Sequence, residues 1–512
     1  MVLLIIIIAA RGHSETPANT IQGRVVSNDL QPIPAALVRS HATENIAETD
    51  KDGAFTLPRR REPEQIVLTA WKHNYFTTAV KAIWGASDIE IVLEPYHTTD
   101  NPEYVWESPY DGQKACAECH TESIAKQWSA NLHSQAVTSP LVQTMYSGKD
   151  VNGNPEHSLS HRHDFPGIPG NCAACHAPAA AADNPYGVFL DEAEGVDALG
   201  VHCDFCHKVY DARIPGQGAP GVASMTLRRP TFPGRDIFFG PFGDRAAGDE
   251  TRLPLISKSR FCAPCHTHES WGIPIYQSFP EWFASSYRDR GIECQHCHNA
   301  PDMKTSNFAP RHPLGAKRDP KRIPSHNMMG EDRAKFIASA VSMQVEVQHQ
   351  AKSVTVTVRA TNSGAGHHFP TGQPMRNVLL HVDVRDAQGL ELELLEGDVL
   401  PRHAGDLVGK PGRFYAKILE EIQTSYPDRA TRPVRVPAPQ WVQTRIQSDT
   451  RIPVLATDES KYMFGRPAIG PFSVKVRLIY RRTFPSFARI KGWDIPDLLI
   501  ASQSETISPE QR

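Results

Sequence analysis

The 512-residue sequence has no apolar run long enough to cross a bilayer: the longest, Val2 to Ala10, has nine residues, about half of what a spanning helix needs. It has no excess of either charge. Fifty-four Lys+Arg face 57 Asp+Glu, a formal net charge of -3, which removes any global electrostatic case for nucleic acid or an anionic membrane as partner. It has no cysteine outside a Cys-x-x-Cys pair, since all ten fall into five such pairs. From about Asn101 to Glu331 it is also poor in aliphatic residues, too poor for an ordinary core across roughly 230 residues. What it has in quantity is proline: 42 residues, or about 8% against an average near 5%. With 40% hydrophobic residues the chain is too apolar for disorder, and it is too rich in proline for a helical bundle.

The Val2–Ala10 run resembles the apolar core of a secretory signal without the preceding basic region. Residues 1–19 are therefore expected to be a truncated signal cleaved between Ala10 and Thr20, which makes the mature chain periplasmic or extracellular. Between Ile21 and Leu93 short β-rich runs (Ile21–Val26, Ala36–Val38, Ala54–Leu57, Ile66–Ala70, Ile89–Leu93) are separated by turn residues, and Asp50-Lys51-Asp52-Gly53 is a strong hairpin signal. The wording Ile21-Gln22-Gly23-Arg24-Val25-Val26, then Pro34-Ala35-Ala36-Leu37-Val38, then Asp52-Gly53-Ala54-Phe55-Thr56-Leu57, resembles the carboxypeptidase-regulatory-like domain. That resemblance implies a seven-stranded β-sandwich over 20–96, used for packing or recognition. Alternation returns after Ala338, at Val341, Met343, Val345 and Val347, at Val354, Val356 and Val358, and at Val378, Leu380, Val382 and Val384. A late run covers Phe472–Tyr480. These predict a second, C-terminal β-sandwich over 338–512, with a loop-rich stretch from Pro401 to Arg451. Arg59-Arg60-Arg61 reads as a solvated turn. The expected fold is multidomain: two β-sandwiches flanking a mainly α or irregular domain over 101–335, whose few helices include Glu122–Ser134 and Glu281–Arg290.

The five pairs in that middle domain are Cys116/Cys119, Cys172/Cys175, Cys203/Cys206, Cys262/Cys265 and Cys294/Cys297, and each is followed at once by His: His120, His176, His207, His266 and His298. With 23 His in 512 residues, chance gives that outcome on the order of once in several million. Cys-x-x-Cys-His is the attachment pattern of c-type haem: two thiols add across the vinyl groups of one porphyrin, and the next imidazole comes to lie under the iron. Cys₄ zinc sites would leave one pair unmatched and the His unexplained. Disulfides suit an exported protein but require no His. Five covalent haems also account for the thin aliphatic core. The pairs at Cys116, Cys172 and Cys262 share Cys-Ala-x-Cys-His, and those at Cys203 and Cys294 share a Gly-Val/Ile-x lead. The pattern reads as one leading haem followed by two copies of a two-haem unit.

Cys116-Ala-Glu-Cys119-His120 followed by Gln127-Trp128-Ser129-Ala130-Asn131-Leu132-His133, Tyr276 with Glu281-Trp282, Ser285, Tyr287 and Gly291-Ile292-Glu293-Cys294, and Gly364-Ala365-Gly366-His367-His368-Phe369-Pro370-Thr371-Gly372 together resemble the multihaem cytochrome c family that includes the tetrahaem cytochromes of nitrifying bacteria. The resemblance runs from about Asp111 to Trp493, with Asp449-Thr450-Arg451-Ile452-Pro453 near its end. It implies electron transfer in the periplasm or outside the cell. Some relatives of that kind assemble into extracellular haem wires, and others are enzymes.

A low-spin carrier needs a sixth ligand on each iron. His133, His326 and His367 are favoured by motif, His202 as a ligand to a neighbouring haem, and one of His161 and His163 is the fifth choice, with His163 preferred. His157, His268, His296 and His312 are reserves, and Met303, Met328 and Met329 read as packing residues. The function expected is a non-catalytic carrier between a redox donor and a redox acceptor protein, with no nucleic acid and no membrane span, and with a homo-oligomer or filament as a possible assembly. The alternative is an enzyme in which one open iron acts on a small nitrogen or sulfur oxide. All five motifs end in His, not the Lys that nitrite-reducing relatives use at the catalytic haem, which weighs against the enzyme.

Overall fold

A computed structural model describes residues 19–508 except 113–114, 215–218, 232–233, 246–247, 331, 351, 423–432 and 466–469. The expected signal segment therefore lies outside the described residues. In the N-terminal part the period-two alternation produces seven strands: β1 (Thr20–Ser27), β2 (Leu37–Ser40), β3 (Ile46–Glu48), β4 (Ala54–Pro58), β5 (Gln65–Trp71), β6 (Thr78–Ile83) and β7 (Ile89–Leu93). They form two sheets, ordered β4-β1-β7 and β3-β2-β5-β6. Their inward residues, such as Ile21, Phe55 and Ile91 from one sheet and Val38 and Leu68 from the other, make one core. The Asp50–Gly53 turn joins β3 to β4: Gly53 has φ +72°, and the Asp50 carboxylate accepts from the Asp52 and Ala54 amides at 2.9 Å. The strands β3 and β6 are absent from the sequence reading, because neither alternates strongly.

The middle of the chain is a succession of helical turns of three to eight residues and three two-stranded ribbons: β8 (Val209–Ala212) with β9 (Met225–Leu227), β10 (Phe238–Gly240) with β11 (Glu250–Arg252), and β12 (His268–Ser270) with β13 (Ile273–Tyr276). The two helices expected here are both broken. The first is a π-turn over Thr121–Ala125 followed by Lys126–Ser129. The second ends at Phe283 and restarts at Ser286, because the Ser285 hydroxyl accepts from the Tyr287 amide and caps a new helix. Among the described residues no helix is long and apolar enough to cross a membrane.

Among the described residues the C-terminal part has nine strands: β14 (Ser342–His349), β15 (Ser353–Thr361), β16 (Asn377–Asp386), β17 (Leu394–Glu396), β18 (Gly412–Glu421), β19 (Thr444–Asp449), β20 (Thr457–Gly465), β21 (Phe472–Arg481) and β22 (Leu498–Ile507). They form a four-stranded sheet, β14-β15-β20-β17, and a five-stranded one, β19-β18-β16-β21-β22. Val356, Tyr462, Leu380 and Val476 meet in the core they share. The stretch read as loop from Pro401 to Arg451 contains β18 and β19. Its alternation is hidden because the five-stranded sheet is buried on both faces: Leu379, Phe414 and Ile479 point away from that core and pack with Met145 and Leu159 of the middle region. The N-terminal sheets join the middle in the same manner, with Phe76 and Tyr96 packed on Phe239 and Leu253 and the Trp71 indole donating to Thr251 Oγ1 at 3.2 Å.

Candidate cofactor cavity

Each Cys-x-x-Cys-His segment is one helical turn. Residues i, i+3 and i+4 of a turn share a face, so both thiols and the imidazole of each motif project together. The turns close in the ordinary way, with the amides of His176, His266 and His298 donating to the carbonyls of Cys172, Cys262 and Cys294 at 3.0, 3.1 and 2.9 Å. None of the ten cysteines is in a disulfide. All ten, together with the five motif histidines, line a single continuous cavity of about 1860 Å³, beyond the roughly 300–1,000 Å³ of small-molecule pockets. Among the described residues no three His, Cys, Asp or Glu side chains converge on one metal position. Neighbouring turns meet thiol to thiol: Cys116 with Cys203, Cys175 with Cys265 and Cys262 with Cys294. These contacts run across the sequence repeat, and only the last joins the two turns of one predicted two-haem unit.

The imidazoles are oriented from behind. Nδ1–H of His120, His176, His207 and His298 donates to the carbonyls of Phe308, Ala136, Phe239 and Met328 at 2.6, 2.8, 2.6 and 2.8 Å, which fixes the tautomer and leaves the Nε2 lone pair for a metal. Three of the five then face a second histidine across the cavity. Ring centroids are 6.5 Å apart for His207 and His326, 6.4 Å for His298 and His367, and 6.4 Å for His133 and His266. Two imidazoles on opposite sides of one metal, each bound at roughly 2.0 Å, have centroids about 6–6.5 Å apart. Burial drives the pKa values of His133 and His367 down to about 4 and those of His266 and His326 to about 3, so these rings are neutral at physiological pH and each keeps a lone pair that could bind a metal. The donor set fits haem c.

The remaining candidates divide. His163 is exposed and is not among the cavity-lining residues, whereas His161 is buried and lines the cavity. The preference for His163 therefore gives way to His161: on the short helix His161–Asp164, residues two apart lie about 200° apart around the axis. His161 stacks on Tyr146 at 5.1 Å. His202 is fully buried and caps the next helix: its Nδ1 accepts from the Phe205 amide at 3.3 Å. The neutral ring therefore presents Nε2–H to the cavity, and that atom has no partner in the protein. His268 and His312 also line the cavity, His157 packs on His163, and His296 and Met303 are exposed. Met329 packs against the C-terminal core. The loop that carries His367 is pinned to β-structure, with Phe369 and Ile452 exchanging backbone hydrogen bonds and Asn362 Nδ2 donating to the His367 carbonyl at 2.8 Å.

A family model described as cytochrome c554 and c-prime matches residues 115–208. A penta-haem cytochrome c552 from Thermochromatium tepidum aligns over 77% of this chain and 97% of its own, with a TM-score of 0.56 and 20% sequence identity. The fold is that of a multihaem cytochrome c. A type II cohesin–X-dockerin complex from Acetivibrio cellulolyticus overlaps 15% of the chain and 58% of its own length at 15% identity, and its TM-score of 0.14 carries nothing further. No curated protein matches the chain.

Around the attachment turns of this cytochrome fold the sequence reading missed the buried charge. Lys208, the residue after His207, is fully buried with Asp204 at 2.7 Å and Asp236 at 2.9 Å, and Asp204 also accepts from the Tyr104 hydroxyl at 3.0 Å and the Glu107 amide at 2.8 Å. Asp244, also fully buried, binds Arg318 at 2.8 Å, the Ala42 amide at 3.0 Å and Arg39 at 3.7 Å. It thereby knots the N-terminal sheets to the middle region. Asp204 stands four residues before Lys208, but Tyr104 and Glu107 lie 100 and 97 residues from Asp204 and Arg318 and Ala42 lie 74 and 202 residues from Asp244, so no local pattern announces the clusters.

Proposed function

We propose that this protein is an exported electron carrier holding five covalent haems c, one on each Cys-x-x-Cys-His turn. The observation that carries the reading is that all five turns open onto one cavity and three of their histidines face a second imidazole at the spacing of a shared metal. On this reading His133 and His266, His207 and His326, and His298 and His367 are axial pairs. Two such neutral imidazoles hold iron low-spin, the state of a carrier. The thiol contacts between turns support a continuous electron path, and the redox partners would be a donor and an acceptor protein. The N-terminal sheets, with their carboxypeptidase-regulatory-like wording, serve as a scaffold, and the C-terminal sheets close the cavity. Homo-oligomer or filament formation fits exposure of Cys297 at the surface, where one porphyrin edge would reach solvent.

A second reading has one specific observation behind it. His202 presents N–H and not a lone pair, and among the described residues no second imidazole faces His120 or His176 at the spacing of the three pairs. An iron without a protein sixth ligand would then bind a small nitrogen or sulfur oxide. EPR and visible spectra of the purified holoprotein separate the two. The carrier gives five haem increments in the intact mass and low-spin ferric signals untouched by nitrite or hydroxylamine. A high-spin signal that responds to either makes the protein an enzyme, and fewer than five increments refutes the haem count.

A further inference from the structure

The cavity wall supplied by the C-terminal part carries cations without counter-ions. Arg376 precedes β16, Arg482 follows β21, and Arg333 begins the helix Arg333–Ala338 that leads into β14. Arg376 and Arg482 line the cavity together with Tyr276 and Tyr480. The charged groups that reach the three arginines are one another and those two phenols, and among the described residues none of the three is in an ion pair. Arg376 Nη1 donates only to the Thr371 carbonyl, at 3.2 Å. Arg333 Nε is buried with no partner. A Cβ built on Gly372 would fall 2.5 Å from Arg376 Nη1 and 2.9 Å from the Tyr276 hydroxyl, so a guanidinium and a phenol converge at that point.

Arginine is seldom drawn out of water unpaired, and three half-buried cations held together repel one another and lose hydration. Such a cluster is stable only when an anion completes it. A guanidinium presents a planar fork of donors matched to a carboxylate, and a phenol adds one more donor. The imidazole that Arg376 reaches electrostatically is His266, which His298 and His367 reach in turn. All three belong to pairs that face each other across the cavity, which leaves no open metal position beside the arginines for a soluble oxyanion to reach. The anion must therefore arrive as part of the group those imidazoles hold.

We propose that Arg376, Arg482 and Arg333, with Tyr276 and Tyr480, form the cradle for the propionate carboxylates of the haem bound at His266 or of its neighbour at His298. The inference rests on the haem-carrier reading and adds to it a role for the C-terminal sheets, which supply charge compensation as well as the imidazole of His367. An uncompensated propionate disfavours the additional electron, so the cradle raises the reduction potential of the haem it serves.

The test is a spectroelectrochemical titration of the holoprotein and of Arg376→Gln, Arg376→Lys and Arg482→Gln. Haem content, measured first by intact mass, keeps the two readings apart: missing haem refutes the carrier, whereas full haem with unmoved potentials refutes the cradle alone. The expected result is that each Gln variant lowers one haem's midpoint potential, shifting its equilibrium at least tenfold toward the oxidised form, about 59 mV for one electron, while the low-spin spectrum is unchanged and Arg376→Lys recovers most of the loss. Where Arg376→Gln yields too little holoprotein, Arg482→Gln and the propionate-bending band in resonance Raman decide, and an unshifted band overturns the proposal. A saturable shift of the wild-type midpoint on adding nitrite or sulfite, lost in Arg376→Gln, would make the cluster a soluble-anion site and would equally overturn it.

Discussion

Replacing Lys208 by Met removes the only cation from a fully buried triad and leaves Asp204 and Asp236 facing the gap its ammonium filled. The ammonium is 2.7 Å from one carboxylate and 2.9 Å from the other, with no solvent access to lysine or Asp204 and 4% at the Asp236 side chain. Breaking a buried pair in this way costs about 3–5 kcal/mol, because the partner charge stays desolvated. Asp204 keeps the Tyr104 hydroxyl and the Glu107 amide as donors, which places the expected loss toward the lower end. In a region of this size 1 kcal/mol moves a melting temperature by about 2–4 °C, so Lys208→Met lowers the melting point of the middle region by roughly 6–12 °C at neutral pH. The assay is thermal denaturation followed by circular dichroism and by the visible band together. The double variant Lys208→Met/Asp236→Asn removes one of the two carboxylate charges and recovers part of the loss. A melting point within about 2 °C of wild type, or a double variant less stable than the single, refutes the reasoning.

Three further outcomes are expected. Burial raises the Asp244 pKa, but Arg318, Arg39 and the Ala42 amide outweigh it and hold the carboxyl below its ordinary range. Its contribution is therefore present above the unfolded value near pH 4 and vanishes as pH falls through the lower folded value: Asp244→Asn destabilises by about 3–5 kcal/mol at pH 7, and urea titrations of the two proteins converge below about pH 4. On the carrier reading, His367→Ala turns one haem high-spin and leaves the others unchanged in EPR, and an unaltered spectrum removes His367 from the ligand set. Gly221 sits at φ +59° with the position of a Cβ 2.0 Å from the Ala174 carbonyl, so Gly221→Ala pushes on the Cys172–His176 turn. It should cost about 1–3 kcal/mol of stability, measured by denaturant titration, and a neutral effect would show that the turn yields freely.

The Cys-x-x-Cys-His turns were legible because their pattern is local: five residues put two thiols and an imidazole on one face of a turn. Most strands of both β regions were legible for a similar reason, since one buried face writes itself as alternation. β18 was not, because Tyr415 faces the inter-sheet core while Phe414 and Ala416 face Met145 and Leu159, and a strand buried on both sides has no period to read. The choice between His161 and His163 is undecidable from sequence: both sit on one turn, and only the packing of Tyr146 and Phe165 against His161 says which side is inside. Asp244 and the three arginines were invisible because each draws its meaning from groups in another part of the chain, and Lys208 because an i, i+4 pair with Asp204 ordinarily lies on a solvated face and only the surroundings say that this one is buried.

The pinned loop that carries His367 has an optical consequence. Its Phe369–Ile452 bridge ties it to the C-terminal sheets, while the imidazole it faces, His298, belongs to a turn of the middle region 6.4 Å away. Under the proposed ligation, one bond to iron spans the seam between the two parts, and parting them by even an ångström changes the spin state and hence the colour. On that ligation the protein would carry its own dye for the seating of its C-terminal sheets: a partner or denaturant that loosens the seam could be followed by visible absorbance alone, with no label added.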